Sequence, residues 1–261
     1  MKQFAVIGCP ISHSLSPQLH NEIFKQINLN ASYKKYKVFP KNLGEFSLKN
    51  KCDGYNVTIP HKIAITKYLK SLDNSAKHIS AVNCVHNDIG YNTDWIGFMY
   101  AMEFNNIKLE GRDCLIIGAG GASYAIAYAL IKSKVNSISV NNRTKVNKES
   151  LLKWISNRFT NNIVNNPHVI INCTPLGMSP NINLTPNYKK LNKKHIAIDT
   201  IYNPIETKWL NNCKSEGAKS IGGLDMLIGQ GVASINIWLQ TNIKNDIDTK
   251  LIKTKLEKIL C

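Results

Sequence analysis

No apolar run in this sequence approaches the roughly 18 residues that a membrane-spanning helix needs. The opening residues, Met1-Lys2-Gln3 followed by Phe4 to Ile7, have no long apolar core of the secretory kind and read as a first strand. The seven cysteines (9, 52, 84, 114, 173, 213 and 261) are odd in number and scattered, without a Cys-x-x-Cys pair. That excludes a disulfide framework and a zinc finger, and no metal site is expected. Fifteen glycines and nine prolines among 261 residues are too few for a collagen-like or low-complexity chain. With 43% hydrophobic and 19% charged residues, the composition suits one large globular domain or two smaller ones. A soluble, cytoplasmic protein of a reducing compartment is the expectation.

Acid is the scarce charge. Seventeen Asp and Glu stand against 33 Lys and Arg, a formal net charge of +16 and a pI near 9.5. Such a balance raises the question of a nucleic-acid or anionic-membrane partner. Yet arginine, which bidentate phosphate recognition prefers, supplies three of those 33 residues, Arg112, Arg143 and Arg158. The lysines are spread along the whole chain, together with asparagine pairs such as Asn105-Asn106 and Asn161-Asn162. This is the pattern of compositional drift rather than of a binding stripe, so neither partner is expected.

Short β-branched or apolar runs alternate with longer amphipathic ones, which predicts an α/β protein. Strands are predicted at Gln3 to Gly8, Ser32 to Phe39 and Gly54 to Thr58, with a small hairpin over Ser80 to Val85 and Gly90 to Asn92. Ser16 as N-cap and Pro17 at the first helical position open a helix to about Ile27. Further helices are predicted near Lys41 to Leu48, from Pro60, and from Thr93 to Phe104. After Gly111 the strand at Cys114 to Gly118, the glycine turn to Gly121, the helix Ala122 to Lys132 and the strand Ser137 to Asn141 form one βαβ unit. Its unbroken apolar strands suit a parallel sheet covered on both faces. Strands at Val169 to Cys173, His195 to Asp199 and Ala218 to Ile221 follow. Two helices, about Leu224 to Gln240 and Asn245 to Ile259, close the chain.

The turn Gly118-Ala119-Gly120-Gly121-Ala122-Ser123 follows a strand and opens a helix, the context that gives a G-x-G-x-x pattern meaning. Glycine permits the tight turn and close approach of backbone to a pyrophosphate, whose charge the free N–H groups at the helix start can bind. A plain glycine-rich turn is the alternative. At the end of the next strand an NAD site wants Asp or Glu for the ribose 2′-hydroxyl. This chain has Asn141-Asn142-Arg143-Thr144-Lys145 instead, so NADP(H) is expected, a solvated turn being the bland reading. Lys62 follows Asn56-Val57-Thr58-Ile59-Pro60-His61 in the first turn of a helix, where the dipole disfavours a cation. Asp94 sits at another helix start and alone reads as a cap.

Together these residues resemble bacterial shikimate dehydrogenases over essentially the full length. The blocks are SHSLSP at 12–17, NVTIPHK at 56–62, AVN at 81–83 and NTD at 92–94. The GAGGAS turn with NNRT, NCTPLGM at 172–178 with DTIYNP at 199–204, and GGLDML-x-x-Q at 222–230 complete the order. The resemblance implies reversible reduction of 3-dehydroshikimate to shikimate by NADPH. It implies Lys62 and Asp94 as the acid–base pair, Ser14 and Ser16 holding the substrate carboxylate with Tyr202 close to it, and Thr58, Asn83 and Gln230 on the ring hydroxyls. Gly118, Ala119, Gly120, Gly121 and Ala122 match the pyrophosphate loop. Asn142, Arg143, Thr144, Lys145, Val146 and Asn147 match the 2′-phosphate segment, and Thr200 and Gly223 lie where backbone approaches the nicotinamide.

The expected architecture is an N-terminal α/β substrate domain, residues 1–94 with 224–261, and a Rossmann-type, doubly wound parallel-sheet cofactor domain, residues 95–223, with the site in a cleft between them. Dimerisation is common in that family, although no interface is legible here. Three departures stand out. Asn147 replaces a second arginine common after the NRT triplet, an acidic residue common near Asn74 is missing, and Leu224-Asp225 replaces a smaller pair. His13 and His61 lack metal-like spacing and read as structural or pocket-wall residues. The four tryptophans read as core or domain-edge residues, and nothing points to a lowered pKa at Cys9. A quinate-accepting relative using NAD, a tetrahydrofolate dehydrogenase of similar layout, and a non-catalytic dinucleotide sensor or polyanion-binding module are the competing functions.

Overall fold

The computed structural model describes residues 1–161 and 166–260. The chain divides into two compact units, residues 1–97 with 228–259, and residues 98–227 with Leu260.

The first unit contains β1 (Lys2–Gly8), α1 (Ser16–Gln26), β2 (Ala31–Lys37), α2 (Leu43–Lys49), β3 (Gly54–Val57), α3 (His61–Ala64), β4 (Ser71–Leu72), α4 (Asn74–Ile79), β5 (Cys84–His86), β6 (Ile89–Tyr91) and the start of α5 (Asp94–Phe104). Its sheet runs in the order β2-β1-β3-β5-β6-β4. β1 pairs in parallel with both β2 and β3, with Ile7 opposite Tyr36 and Val57, whereas β3–β5 and β5–β6 are antiparallel. Ala5, Ile7, Val57, Val82 and Val85 form the core under this sheet. The edge strand β2 exposes lysines along its outer half, a pattern that discourages pairing with other chains.

The second unit contains β7 (Asp113–Ile117), α6 (Gly121–Lys132), β8 (Ser137–Asn141), α7 (Lys145–Ser156), β9 (Val169–Asn172), β10 (Ile196–Asp199), α8 (Lys208–Ser215), β11 (Lys219–Ile221) and the start of α9 (Leu224–Leu239). The rest of α9 and α10 (Thr249–Leu260) return to the first unit, save the last residue of α10. All pairings in its sheet are parallel, in the order β11-β10-β9-β7-β8. β7, β9 and β10 are buried at every position, as strands covered on both faces must be. The chain leaves β7 first toward β8 and then crosses to β9 on the other side. That reversal is a topological switch point, the place where doubly wound sheets hold ligands at the C-terminal ends of their strands.

Local expectations need several corrections. Ser16 is the first residue of α1 rather than its cap; Leu15 takes the cap position with no side-chain bond, and Pro17 lies in the first turn as anticipated. Residues 80–83 are not strand. Ser80 ends α4 in the left-handed conformation at φ 58°, and the hairpin begins only at Cys84. The short α4, capped by Asp73 through the N–H groups of Ser75 and Ala76, was not anticipated, nor were α7 and α8. The single turn of α3 continues as a 3-10 turn over Ile65–Tyr68. So short a helix has little macrodipole, and the electrostatic argument that made Lys62 stand out carries little weight.

Candidate active site

At the C-terminal end of β3 the chain turns through Thr58 and Pro60 into α3 and presents Lys62. The β6–α5 junction presents Asp94. Lys62 Nζ donates to Asp94 Oδ2 at 2.6 Å, and the two side chains keep 25% and 12% of their surface exposed. The pair is therefore sheltered yet reachable. Two further hydrogen bonds hold Asp94, one at its carboxylate and one at its backbone. Asn83 Nδ2 donates to Asp94 Oδ1 at 2.8 Å, and the Asp94 backbone N–H donates to Asn92 Oδ1 at 3.1 Å. Asn92 is anchored in turn by its amide to the Ala81 carbonyl.

Behind the pair lies a connected polar network. Thr93 N donates to Asn83 Oδ1 at 2.6 Å, and Asn83 Nδ2 reaches Thr93 Oγ1 at 3.0 Å. Asn56 Nδ2 donates both to the Asn83 carbonyl and to Ser234 Oγ, which lies 3.3 Å from Thr93 Oγ1. Tyr33 Oη donates to Asn56 Oδ1 at 2.7 Å. Thr93 and Ser234 are fully buried, and Asn56, Asn83 and Asn92 nearly so. A buried polar network whose members are mutually satisfied is rigid, because any loosening leaves a desolvated group unpaired. Asn83, expected against ring hydroxyls, donates from its amide to Thr93 Oγ1 and to the Asp94 carboxylate, beside the Lys62–Asp94 pair.

The remaining expected substrate residues are placed as follows. Ser14 and Ser16 are both buried, with Ser16 N donating to Ser14 Oγ at 3.3 Å. Thr58 is half-buried at the end of β3, its methyl packed so close to Gly8 that any side chain there would strike it at 2.6 Å. Gln230 is buried on α9 in the same unit, one turn before Ser234, whose hydroxyl donates to its carbonyl. Tyr202 belongs to the second unit; burial raises its hydroxyl pKa above the usual 10.

In the second unit the β7–α6 turn sits at the switch point. Gly118 adopts φ +109°, a conformation closed to other residues, and a methyl group there would lie 3.0 Å from the Cys173 carbonyl carbon and oxygen. Side chains on Gly120 and Gly121 would meet nothing within 4 Å, so their bare backbone faces open space at the start of α6. Ala119 is buried beneath the turn. Ser123, the departure from Gly or Ala, is fully buried and fits the helix–strand contact. Beyond β8, Arg143, Thr144, Lys145, Val146 and Asn147 are all exposed and Asn142 is half-exposed. Thr144 heads α7, whose first turn carries no acid. An open helix start beside an arginine attracts an anion. Thr200 and Gly223 are brought together: the Thr200 carbonyl lies where a Gly223 side chain would begin, and Gly223 N donates to the Ile201 carbonyl.

His61 is buried, its Nε2 bonded to the Val38 carbonyl at 2.7 Å, a structural role, while His13 is exposed. Trp209 and Trp238 are core residues. A cavity of about 800 Å³ in the first unit, lined by Lys2, Gly54, Tyr55 and His86 among others, opens at the starts of β1 and β3 and includes neither Lys62 nor Asp94. No helix among the described residues is long and apolar enough to cross a membrane. The sequence alone assigns no role to the supporting residues Tyr33, Asn56, Ser234, Asn172 and Asp199 and reads Asn92 or Thr93 only as a helix cap; pairing in the fold reveals them.

Residues 6–85 match the family model described as the shikimate dehydrogenase substrate binding domain. The shikimate dehydrogenase (NADP(+)) of Methanocaldococcus jannaschii is 40% identical over 278 residues, covering 97% of this chain and 98% of that one. A crystal structure of a shikimate dehydrogenase in complex with NADP+ superposes with a TM-score of 0.92 at 37% identity, covering 100% of this chain and 96% of that one. The Thermus thermophilus shikimate 5-dehydrogenase, solved with NADP(H) and shikimate, gives a TM-score of 0.86 at 28% identity, covering 97% and 98%. With the glycine turn at the switch point, the sheltered Lys62–Asp94 pair and this likeness along nearly its whole length, the chain belongs to the shikimate dehydrogenase family.

Proposed function

We propose that the protein catalyses the reversible NADPH-dependent reduction of 3-dehydroshikimate to shikimate, with the first unit holding substrate and the second the dinucleotide. The observation that carries the reading is the 2.6 Å contact between Lys62 and Asp94, held in place by Asn83 and Asn92. The residues of the second unit fit NADP(H). Bare backbone at Gly120 and Gly121 suits a pyrophosphate, and Arg143 beside the acid-free start of α7 suits the 2′-phosphate. When bound, the reduced nicotinamide supplies the hydride.

A carbonyl receiving hydride leaves negative charge on its oxygen, which needs a proton or a cation beside it. Lys62 Nζ donates that proton. Asp94, accepting from Nζ, aims the ammonium group and compensates its charge. In the direction of shikimate oxidation the same pair removes the hydroxyl proton. Ser14 and Ser16 donate to the substrate carboxylate, and Thr58 and Gln230 fix the ring through its hydroxyls. Lys62→Ala is expected to lower kcat by about 10²–10⁴ with little change in KM. A loss below about tenfold removes Lys62 from acid–base duty.

A further inference from the structure

Asp199, the last residue of β10, is a buried carboxylate with no part in the chemistry above. Three donors converge on it. Ile201 N and Asn172 Nδ2 donate to Oδ1 at 3.0 and 3.1 Å, and Thr207 Oγ1 donates to Oδ2 at 2.7 Å. Among the described residues no cationic group pairs with it. The titratable groups whose charge it meets are the Cys173 thiol after β9 and the Cys213 thiol on α8, both pushed up to about 12 by burial and so neutral. A buried carboxylate with no ion partner is costly to hold ionised, and burial accordingly raises its pKa to about 6, against the pull of its three hydrogen bonds.

What those bonds hold is the rim of the dinucleotide site. Asn172 ends β9, and its Oδ1 accepts from Thr174 N and Thr174 Oγ1 at 3.0 and 2.7 Å, shaping the loop against which Gly118 packs. The Asn172 carbonyl accepts from both Thr200 N and Thr200 Oγ1 at 3.0 Å, and Thr200 is the residue on which Gly223 lies. Thr207 receives Leu210 N as the cap of α8, and Gly177, at φ +105°, sits within about one methyl contact of it. One carboxylate thus ties together the ends of β9 and β10 and the start of α8.

We propose that Asp199 is a positioning residue for the dinucleotide: its carboxylate, accepting from three donors, fixes the loops after β9 and β10 on which NADPH binding depends. The inference rests on the proposed role of the second unit. Asn172 Nδ2, Ile201 N and Thr207 Oγ1 all donate to the carboxylate, whereas an amide in its place turns one acceptor into a donor and sets it against them.

The test is NADPH binding, followed by its fluorescence, and steady-state kinetics for wild type and Asp199→Asn from about pH 8 to about pH 5.5. Asp199→Asn is expected to raise the NADPH Kd and KM about tenfold or more at the alkaline end, with the shikimate KM changed less than about twofold. Thr207→Val, which removes one donor to the carboxylate, is expected to raise the NADPH KM in the same sense and serves if Asp199→Asn does not fold. A variant-to-wild-type ratio near one for the NADPH Kd at every pH, or equal losses toward both substrates, overturns the proposal. Wild type that binds no NADPH at all overturns the coenzyme reading itself, and this inference with it.

Discussion

Single residues in this protein carry their function through who holds them. Asp94 is gripped by Lys62, Asn83 and Asn92 at once. Asp94→Asn keeps the shape but replaces an acceptor with a donor facing the Lys62 ammonium. A fall in kcat of about 10²–10⁴ is expected in single-turnover NADPH oxidation; an unchanged rate would leave Lys62 acting alone. His20 is the counterpart in the protein's interior. It is fully buried, stacked on Tyr33 at 4.0 Å between ring centroids and bonded through Nδ1 to the Ser16 carbonyl, while Nε2 has no partner. Burial lowers its pKa to about 4 from 6.5. The folded protein therefore holds that proton more weakly than the unfolded chain. The stability this contributes is complete above about pH 6.5 and is lost as pH falls toward 4, about 3 kcal/mol in all. Urea midpoints of His20→Gln should lack this component; a slope equal to that of wild type would refute it.

At the scale of elements, the proposed function assigns the choice of coenzyme to the start of α7. Arg143 stands exposed just before it and the first turn has no carboxylate. Arg143→Ala is expected to reduce kcat/KM for NADP+ by about 10- to 100-fold, the loss of one or two charge-assisted hydrogen bonds, and to leave kcat/KM for NAD+ nearly unchanged. Equal losses with both coenzymes would place Arg143 elsewhere in function. This element also marks the limit of what was legible beforehand. The strands β7, β9 and β10 were plain because each is a short run, apolar save for one polar residue at an end, and the glycine turn was plain because φ +109° at Gly118 demands glycine. α7 and α8 were missed because their sequences, KVNKESLLKWIS and KWLNNCKS, bury few residues and read as polar linker. The Lys62–Asp94 pair was found through the resemblance; the dipole argument for Lys62 failed because α3 is a single turn. Asn56, Ser234 and Asp199 left no mark in periodicity or spacing. Asn56 and Ser234 take their roles from each other across 178 residues, and Asp199 takes its role from Asn172, Ile201 and Thr207, which the fold gathers around it.

For the whole molecule, His20 and Asp199 set opposing pH dependences, one in each unit. Asp199, raised to about 6 from 3.8, favours the protonated fold, so its contribution is complete below about pH 4 and is lost as pH rises through 6. His20 gains over an overlapping range. Removing His20 should therefore expose a decline in stability between about pH 4 and 6, and removing Asp199 should steepen the rise. The net charge of +16 draws anionic ligands to the protein in general and cannot choose among them. The proposed function assigns that choice to Arg143 and to the residues around Lys62. The most direct measurement is therefore the appearance of reduced coenzyme, followed by its near-ultraviolet absorbance, with shikimate or quinate paired in turn with NADP+ or NAD+. Rapid reduction confined to shikimate with NADP+, and abolished in Lys62→Ala, is expected. Reduction of NAD+ as fast as NADP+, or none with any pair by folded protein, contradicts the proposed reaction.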